Sequence, residues 1–233
     1  MTKIGAVKYL RRYPVKSMMG EDLDSAYLES YGITGDRVYA FINEENRNTR
    51  FPWMTARQAK ELLLYRPQFA SSQMEIESPE GRKFSISDQL FLELIEEKYG
   101  YPIVLRYDRT GSKDSKPISL ISMQTVEALS SETGLTLSHE RFRANIYAEW
   151  HNGKPFFEDE LVGRTLKIGE GGAVIKIVKK DSRCIIPTLD PKTSEPSPIV
   201  LETIKKNHKG CIGVYADVEG VGSMRAGDEI FLL

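Results

Sequence analysis

Short strand-like runs, separated by frequent turn signals or polar segments, recur from the start of this 233-residue chain. Residues 4–10 mix β-branched and aromatic side chains, and residues 38–42 form a second run of this kind. Residues 74–78 and 83–86 alternate around Pro79-Glu80-Gly81, which predicts a β-hairpin. Many short strands with frequent turns are typical of small barrels and sandwiches. The N-terminal part is therefore predicted to be a small β-barrel-like unit.

Two longer segments have a helical pattern instead. Residues 87–99 place apolar side chains between charges, and residues 123–133 form an amphipathic pattern that ends at a glycine, so each predicts a helix. The polar segment 108–116 predicts a linker. We therefore expect a mainly β chain with some α-helix (α+β), divided into two domains, 1–107 and 108–233.

The overall charge excludes some classes of partner. The formal net charge is −1 and 28% of the residues are charged, so no general attraction to polyanions exists and nucleic acid is not an expected partner. No apolar run approaches the length that crosses a bilayer, and the first residues lack a signal-peptide apolar region, so no membrane partner is expected. Cys184 and Cys211 form neither a CxxC nor a zinc pattern, which favours a reducing, cytoplasmic compartment.

Four basic loops indicate an anionic ligand. They carry Lys16 with Ser17, Arg37, Arg57, and Arg143 with Asn145. Guanidinium and ammonium groups beside hydroxyl or amide groups are what a phosphate or carboxylate ligand requires. Each loop taken alone is better explained by a solvated surface charge or a local salt bridge, because loops are usually polar.

The segment 181–191 sets Cys184 directly after Arg183, at the end of a strand-like run and before two prolines. The thiolate is the reactive and metal-binding form of cysteine, and an adjacent cation lowers the cost of forming it. Thiolate sulfur suits a soft metal or a redox centre. The alternative for Cys184 is a small buried apolar side chain. We expect that structural role for Cys211, which lies in a strand-like run between glycines.

Other catalytic chemistries have less support. A cysteine nucleophile needs a histidine partner, and His139, His151 and His208 all have polar neighbours that predict surface positions. The acidic run Glu158-Asp159-Glu160 predicts a solvated face. No phosphate-binding P-loop or dinucleotide-binding fingerprint is present in the sequence.

Taken together and in order, these loops resemble the MOSC family, named for the C-terminal domain of molybdenum cofactor sulfurase. Six short motifs carry the resemblance along almost the whole chain. They are Tyr13-Pro14-Val15-Lys16-Ser17, Gly35-Asp36-Arg37, Met54-Thr55-Ala56-Arg57-Gln58, Arg141-Phe142-Arg143-Ala144-Asn145-Ile146, Phe157-Glu158-Asp159, and Ser182-Arg183-Cys184 with Thr188-Leu189-Asp190-Pro191. Within the family, the motifs are most similar to those of the mitochondrial amidoxime-reducing component and its bacterial counterparts.

The resemblance implies a fold and a cofactor. It implies an N-terminal β-barrel domain packed on a C-terminal MOSC β-barrel with peripheral helices, and a pterin-based molybdenum cofactor between the two. It places Cys184 on the metal as the catalytic thiolate and Asp190 near the open face of the metal. The residues that it places around the cofactor are Lys16, Ser17, Arg37, Arg57, Ser122, Arg143, Asn145, Ser182, Arg183 and Thr188.

Three departures from the family pattern stand out. Ala144 replaces the usual proline of the Phe-Arg-Pro-Asn motif, and Ser194-Glu195-Pro196 stands where a glycine usually follows Asp-Pro. The cysteines of the C-terminal iron–sulfur domain found in some bacterial relatives are absent from this sequence.

The resulting hypothesis is a molybdenum oxidoreductase that reduces N-hydroxylated or N-oxygenated small molecules. Its electrons would come from a separate flavin or iron–sulfur protein. The alternative is a non-enzymatic carrier, either of the molybdenum cofactor or of sulfur as a persulfide on Cys184. A further alternative, a small-molecule binding protein with a decayed site, is disfavoured by the presence of Lys16, Arg37, Arg143, Asn145 and Cys184 together.

Overall fold

The structure is a computed structural model that describes residues 1–49, 51–70 and 73–233. Its α-helices are α1 (Gln89–Tyr99), α2 (Met123–Thr133) and α3 (Ile199–His208). Its strands, in chain order, are β1 (Thr2–Arg12), β2 (Glu21–Leu23), β3 (Ser25–Glu29), β4 (Gly32–Ile33), β5 (Tyr39–Asn43), β6 (Arg66–Ala70), β7 (Gln73–Glu77), β8 (Lys83–Ser85), β9 (Ile103–Tyr107), β10 (Ile118–Ser122), β11 (Ile146–Trp150), β12 (Thr165–Ile168), β13 (Ala173–Ser182), β14 (Cys211–Gly220), β15 (Gly222–Arg225) and β16 (Glu229–Leu232).

Seven of these strands close into a barrel. Their order around it is β1, β11, β10, β14, β13, β12 and β16, and β16 pairs back to β1. β10 and β11 run parallel, and the other neighbours are antiparallel. The register between β13 and β14 shifts at three places, and such bulges bend and twist strands so that a sheet can curve into closure. The prediction of a mainly β chain with a barrel is confirmed.

The interior of the barrel follows from alternation within its strands. Along β13, Ala173, Ile175 and Ile177 alternate and are fully buried, and they pack in one cluster with Val7 and Leu10 of β1, which a register shift after Val7 brings to the same face. Trp150 of β11 is the largest side chain in this core. Gly5 in β1 makes room for it, because a Cβ at that position would lie 2.6 Å from the indole ring. Sequence alternation of period two thus becomes a packed barrel core.

The N-terminal half also builds a smaller unit with its own core. β5 pairs with β9, while β6, β7 and β8 form a three-stranded sheet that contains the predicted hairpin. Helix α1, predicted from residues 87–99, begins after Asp88, whose carboxylate accepts a hydrogen bond from the Leu90 amide. It buries Phe91 and Ile95 against both sheets.

The domain boundary at residues 107/108 stays a prediction. Strands that lie before it in the chain pair with strands that lie after it. β1 is an integral strand of the barrel, and β3 pairs with β15 near the C-terminus. The segment 108–116, predicted to be a linker, is packed into the structure. Ser112 is buried, and its amide donates to the Arg37 carbonyl (2.7 Å). The segment connects β9 to β10, and its polar residues bond to the N-terminal half, so the connection is packed rather than free. Its role as a linker between two domains stays a prediction.

Helices α2 and α3 lie on the outside of the barrel. Ser122 caps α2 by accepting from the Thr125 amide, and α2 ends at Gly134 in the left-handed conformation, as its pattern predicts. Val126 and Leu129 of α2 pack with Ile204 of α3 in a cluster that joins both helices to the barrel wall. In the part of the chain that the structure describes, no helix has the length and apolarity to span a bilayer.

The acidic run 158–160 is not the solvated face that its composition predicts. Glu158 is fully buried and accepts hydrogen bonds from the Trp150 indole (3.0 Å) and the Ser122 amide (3.1 Å). Only Glu160 of the run is exposed, beside Lys154. Glu158 therefore joins β10 and β11, and the run of three acidic residues does not by itself show which of them is buried.

We expect Glu158→Ala to lower the free energy of unfolding by about 2–4 kcal/mol, because it leaves two buried donors without an acceptor. Urea denaturation measures the change. Glu160→Ala, from the same run but exposed, is the matched control and should change the free energy of unfolding by less than about 0.5 kcal/mol. Equal effects of the two substitutions would contradict the buried role of Glu158.

Candidate functional site

A cavity of about 430 Å³ lies between loops of the N-terminal half and the strands and loops of the barrel. Among the described residues, its lining contains ten basic side chains and only two acidic ones, although the whole chain carries a formal charge of −1. Ten of the 32 lysine and arginine residues of the chain therefore lie on one concave surface with few acidic neighbours. Nine predicted site residues line it, namely Lys16, Ser17, Arg37, Arg57, Arg143, Asn145, Ser182, Arg183 and Cys184.

Three of these residues have an unusual backbone conformation. Ser17, Arg37 and Arg143 have φ of 67°, 55° and 52°, and they are half of the six non-glycine residues with positive φ in the described ranges. The left-handed region is disfavoured for residues with a Cβ, and such strain concentrates at functional sites. Here it turns each side chain out of a regular loop and toward the cavity.

Arg37 and Arg143 are held together around one aromatic ring. Both guanidiniums lie over Tyr13, at 4.8 Å and 4.4 Å from the ring centroid, and Arg37 Nη2 donates to the Arg143 carbonyl (3.1 Å). Asp36 pairs with Arg37 and also accepts from the Tyr13 amide (2.9 Å). Burial opposes the charge of Arg37, but Asp36 and Tyr13 raise its pKa above the usual value.

Arg143 has only part of this compensation, from the Tyr13 ring and the more distant charge of Asp36. In the described structure its Nη2 is buried without a hydrogen-bond partner, and no carboxylate lies within ion-pair distance. Burial lowers its pKa to about 10, and the neighbouring charge of Arg37 acts in the same direction. The side chain remains protonated at neutral pH. A buried cation without a counter-charge is costly, and an anionic ligand in the cavity would offset that cost.

Lys16 points into the same space from the loop after β1. It is only 4% exposed, and its Nζ donates to Asp114 Oδ1 (2.7 Å) and to the Ser112 carbonyl (2.8 Å). Burial lowers the pKa of Lys16, although Asp114 opposes the shift. Asp114 Oδ2 also pairs with Arg57 Nη2 (3.3 Å). One carboxylate thus bridges two cations on the N-terminal side of the cavity.

Cys184 is half-buried on the loop that follows β13. The adjacent Arg183 is anchored elsewhere, since it donates to the carbonyls of Ile212 (2.8 Å) and Phe142 (2.9 Å) and pairs with Asp181 (3.0 Å). Gly213 leaves room for it, because a Cβ there would lie 3.3 Å from the guanidinium and 2.8 Å from a backbone carbonyl. Arg183 therefore positions the loop that carries the thiol.

The cation beside the thiol is Arg57, from the other half of the chain. Burial opposes its charge, but its contact with Cys184, and then the charge of Asp114, raises the pKa of Arg57. The expectation that Arg183 is the cation next to the sulfur is therefore incomplete. Arg183, next to Cys184 in the sequence, anchors the loop. The residue that contacts the sulfur is Arg57, which lies 127 positions away in the chain.

Three predicted site residues lie outside the cavity lining. Ser122 is the buried cap of α2. Thr188 is buried and donates to the Ile185 carbonyl (2.7 Å). Asp190 pairs with Arg141 Nη2 (2.7 Å), while Arg141 Nη1 donates to the Thr188 carbonyl (2.9 Å). Since Arg141 lines the cavity, Thr188 and Asp190 support its wall from behind.

Sequence reasoning missed part of the lining. The missed residues are 113–116, in the predicted linker, and Lys179 and Lys180, near the C-terminal end of β13. Residues 113–116 lie in a polar segment with charges of both signs, and that composition does not by itself predict a binding site. The basic pattern of β13 was a usable signal for Lys179 and Lys180. Asn145 is the best-anchored predicted residue, since its side-chain oxygen accepts from the Ser119 amide (3.2 Å) and hydroxyl (3.1 Å).

These residues fit a phosphate-bearing cofactor with a soft metal. Lys16, Arg37 and Arg143 supply the cationic surface, and the orphaned Nη2 of Arg143 marks a charge without its counterpart. Cys184 is the thiol of the described lining. No group of three or more His, Cys, Asp or Glu side chains with metal-binding geometry occurs in the described residues, so protein ligation here would come chiefly from Cys184.

Comparison with known proteins gives two successive family matches. The family model of the MOSC domain matches residues 107–231, which is more than half of the chain. The MOSC N-terminal beta barrel domain matches residues 4–98. The order of the two matches is the order of the motifs predicted from the sequence.

Several curated proteins are similar to this chain. The molybdenum cofactor sulfurase of Drosophila erecta is 26% identical across 87% of this chain, which spans 30% of that protein's length. Mitochondrial amidoxime reducing component 2 of Bos taurus is 22% identical across 99% of this chain and 84% of its own length. The Rattus norvegicus protein of the same name is 30% identical across 51% of this chain and 37% of its own length. The chain thus spans less than a third of the sulfurases that it matches.

A solved structure shares the fold. The YUAD protein from Bacillus subtilis has a TM-score of 0.55 and 16% sequence identity, and the match covers 97% of this chain and 94% of that one. Likeness at this identity shows the architecture alone. It agrees with the mainly β fold described above.

The cavity also predicts a dependence of stability on pH. Burial lowers the pKa of Lys113 from 10.5 to about 8, so between these pH values the unfolded chain binds more protons than the folded one. The contribution of Lys113 to the free energy of unfolding should therefore rise as pH increases from 8 to 10. We expect Lys113→Met to flatten this rise, and the exposed Lys206→Met to leave it unchanged, in urea denaturation across this range. Parallel curves for Lys113→Met and the wild type would contradict the assignment.

Proposed function

The chain belongs to the MOSC family, and we propose on that basis that its basic cavity holds a pterin-based molybdenum cofactor. The observation that carries the proposal is one cavity in which ten basic side chains surround a single half-buried thiol, that of Cys184. Cations suit the cofactor's phosphate, and a thiolate suits molybdenum.

Each side chain has a role that follows from its geometry. Lys16 and Arg57 would bind the phosphate, and Arg37 and Arg143 the polar edge of the pterin, because all four line the same cavity. Cys184 would ligate the metal as a thiolate, with Arg57 beside the sulfur. Arg183 would hold the Cys184 loop through its bonds to two carbonyls.

The reaction that we propose is reduction of N-hydroxylated or N-oxygenated small molecules, such as amidoximes. When bound, the cofactor supplies two-electron redox chemistry, through which the substrate's oxygen leaves as water. The residues of this chain would fix the cofactor, and the cavity wall around Cys184 would admit the substrate. Electrons would come from a separate flavin or iron–sulfur protein. Similarity to mitochondrial amidoxime reducing component 2 across 99% of the chain supports this reaction.

A second candidate rests on a different similarity. The chain also aligns with molybdenum cofactor sulfurases across 87% of its length. The protein would then carry the cofactor, or carry sulfur as a persulfide on Cys184, without turning over a substrate. Mass spectrometry of the freshly purified protein distinguishes the sulfur carrier, because a persulfide adds the mass of one sulfur to the Cys184 peptide.

Expression in a host that makes the cofactor tests the enzymatic proposal. We expect the purified protein to contain molybdenum and pterin and to reduce benzamidoxime with reduced methyl viologen as the electron donor. Cys184→Ser should lower the rate by more than about tenfold, because it replaces a metal ligand. Cys211→Ser is the matched control and should retain the rate, since Cys211 lies outside the cavity lining.

Two outcomes would contradict the proposal in different ways. Metal-free protein from a host whose other molybdenum enzymes are active would reject the cofactor. Full activity of Cys184→Ser in molybdenum-loaded protein would reject Cys184 as the ligand while leaving the cofactor in place. Stoichiometric molybdenum without any reduction of benzamidoxime or other N-hydroxylated compounds would favour the carrier.

A further inference from the structure

The two acidic residues of the cavity lining differ in what they face. Asp181 is 3% exposed and pairs with Arg183, the anchor of the Cys184 loop. The Asp114 side chain is 39% exposed, and its two oxygens contact two different cations. Asp114 is thus the carboxylate that stands at the surface of an otherwise basic cavity.

The position of Asp114 is fixed by the segment that carries it. The amide of Ser112 donates to the Arg37 carbonyl (2.7 Å), and the Ser112 carbonyl accepts from Lys16 Nζ (2.8 Å). Gly111, with φ of +86°, allows the close turn, because a Cβ there would lie 2.5 Å from the Asp36 carbonyl. These contacts bring the carboxylate to Lys16 Nζ (2.7 Å) and Arg57 Nη2 (3.3 Å).

We propose that Asp114 is an internal counter-anion, which occupies the position of a ligand phosphate between Lys16 and Arg57 and must move aside when that phosphate binds. A carboxylate bridging two cations makes the contacts that two oxygens of a phosphate group would make. A phosphate monoester has more charge and a third acceptor oxygen, so it can displace the carboxylate.

The electrostatics of the two partners agree with this role. Burial lowers the pKa of Lys16, so without Asp114 its charge would be further disfavoured. Burial opposes ionisation of Asp114, but Lys16 and Arg57 together lower its pKa, so the carboxylate is charged at neutral pH. The pair therefore keeps the cavity charged and ordered before a ligand arrives.

Competition from within the chain also gives selectivity. Singly charged anions gain too little from Lys16 and Arg57 to replace a tethered carboxylate, whereas a phosphate dianion gains more. When a phosphate displaces the Asp114 carboxylate, the segment 108–116 loses its ion pair with Lys16 and is held less tightly to the N-terminal half. The inference rests on the proposed function only for the identity of the natural ligand, and the phosphate group is the chemistry that it requires.

Titration with inorganic phosphate tests the inference on the cofactor-free protein. We expect Asp114→Asn to bind phosphate about four- to tenfold more tightly than the wild type at low salt, because one like charge has been removed near the ligand. The gain should shrink as the salt concentration rises. Isothermal titration calorimetry measures both effects.

The matched control is Asp108→Asn, in the same segment. Asp108 bonds to Thr110 and Arg106 and does not line the cavity, so this variant should bind phosphate as the wild type does. Affinity of Asp114→Asn equal to or weaker than that of the wild type would overturn the inference. An equal gain in Asp108→Asn would overturn it as well, since the effect would then be one of net charge.

A second measurement needs no variant, which matters if Asp114→Asn unfolds. Hydrogen exchange of the wild type should become faster in residues 113–116 when phosphate is added, because the displaced carboxylate no longer ties them to Lys16. Slower or unchanged exchange there contradicts displacement.

Failure of this inference and failure of the proposed function are separable. Phosphate binding that responds to Asp114→Asn, in a protein that never carries molybdenum, rejects the proposed cofactor alone. Molybdenum-loaded protein whose cofactor-free form shows no response to Asp114→Asn rejects the counter-anion alone.

Discussion

Ten basic side chains line one cavity, and stabilising them at close range is the constraint on which the rest of this site depends. Like charges at close range repel, and burial removes the water that would screen them. Asp36 beside Arg37, the ring of Tyr13 under two guanidiniums, and Asp114 beside Lys16 are the local compensations. None of them is an ordinary surface salt bridge, because at least one partner in each is buried.

The barrel explains how distant segments reach this cavity. β1 is a barrel strand, so the loop after it delivers Lys16 to the barrel's end. β11 begins beside the end of β1, which places the 141–146 loop next to it, and the loop after β13 adds Cys184 to the cavity lining. Loops at one end of a rigid barrel can hold strained conformations, which Ser17, Arg37 and Arg143 show, because the strands on either side are fixed by a shared core.

Local patterns were sufficient for the helices α1 and α2 and for the hairpin of β7 and β8, since capping and alternation act within a few residues. Closure of the barrel by β1 and β16 joins the two ends of the chain, and no local pattern encodes it. The packing of the segment 108–116 could not be predicted for the same reason. A polar composition predicts that a segment is exposed to water. In this segment, however, backbone groups of Ser112 bond to Arg37 and Lys16, which are far away in the sequence. Family motifs located most of the cavity residues, but not which cation meets the thiol.

Arg57 lies between the proposed phosphate position and the proposed metal position of the cavity. It contacts Asp114 on the side of the proposed phosphate position and Cys184 on the side of the proposed metal position. A single guanidinium has five donors in a fixed plane, so a change of partner on one side alters the geometry available on the other. Groups that share a partner in this way do not act additively. The counter-anion and the thiol are therefore parts of one network, in which the charge that fills the phosphate position also sets the surroundings of the sulfur.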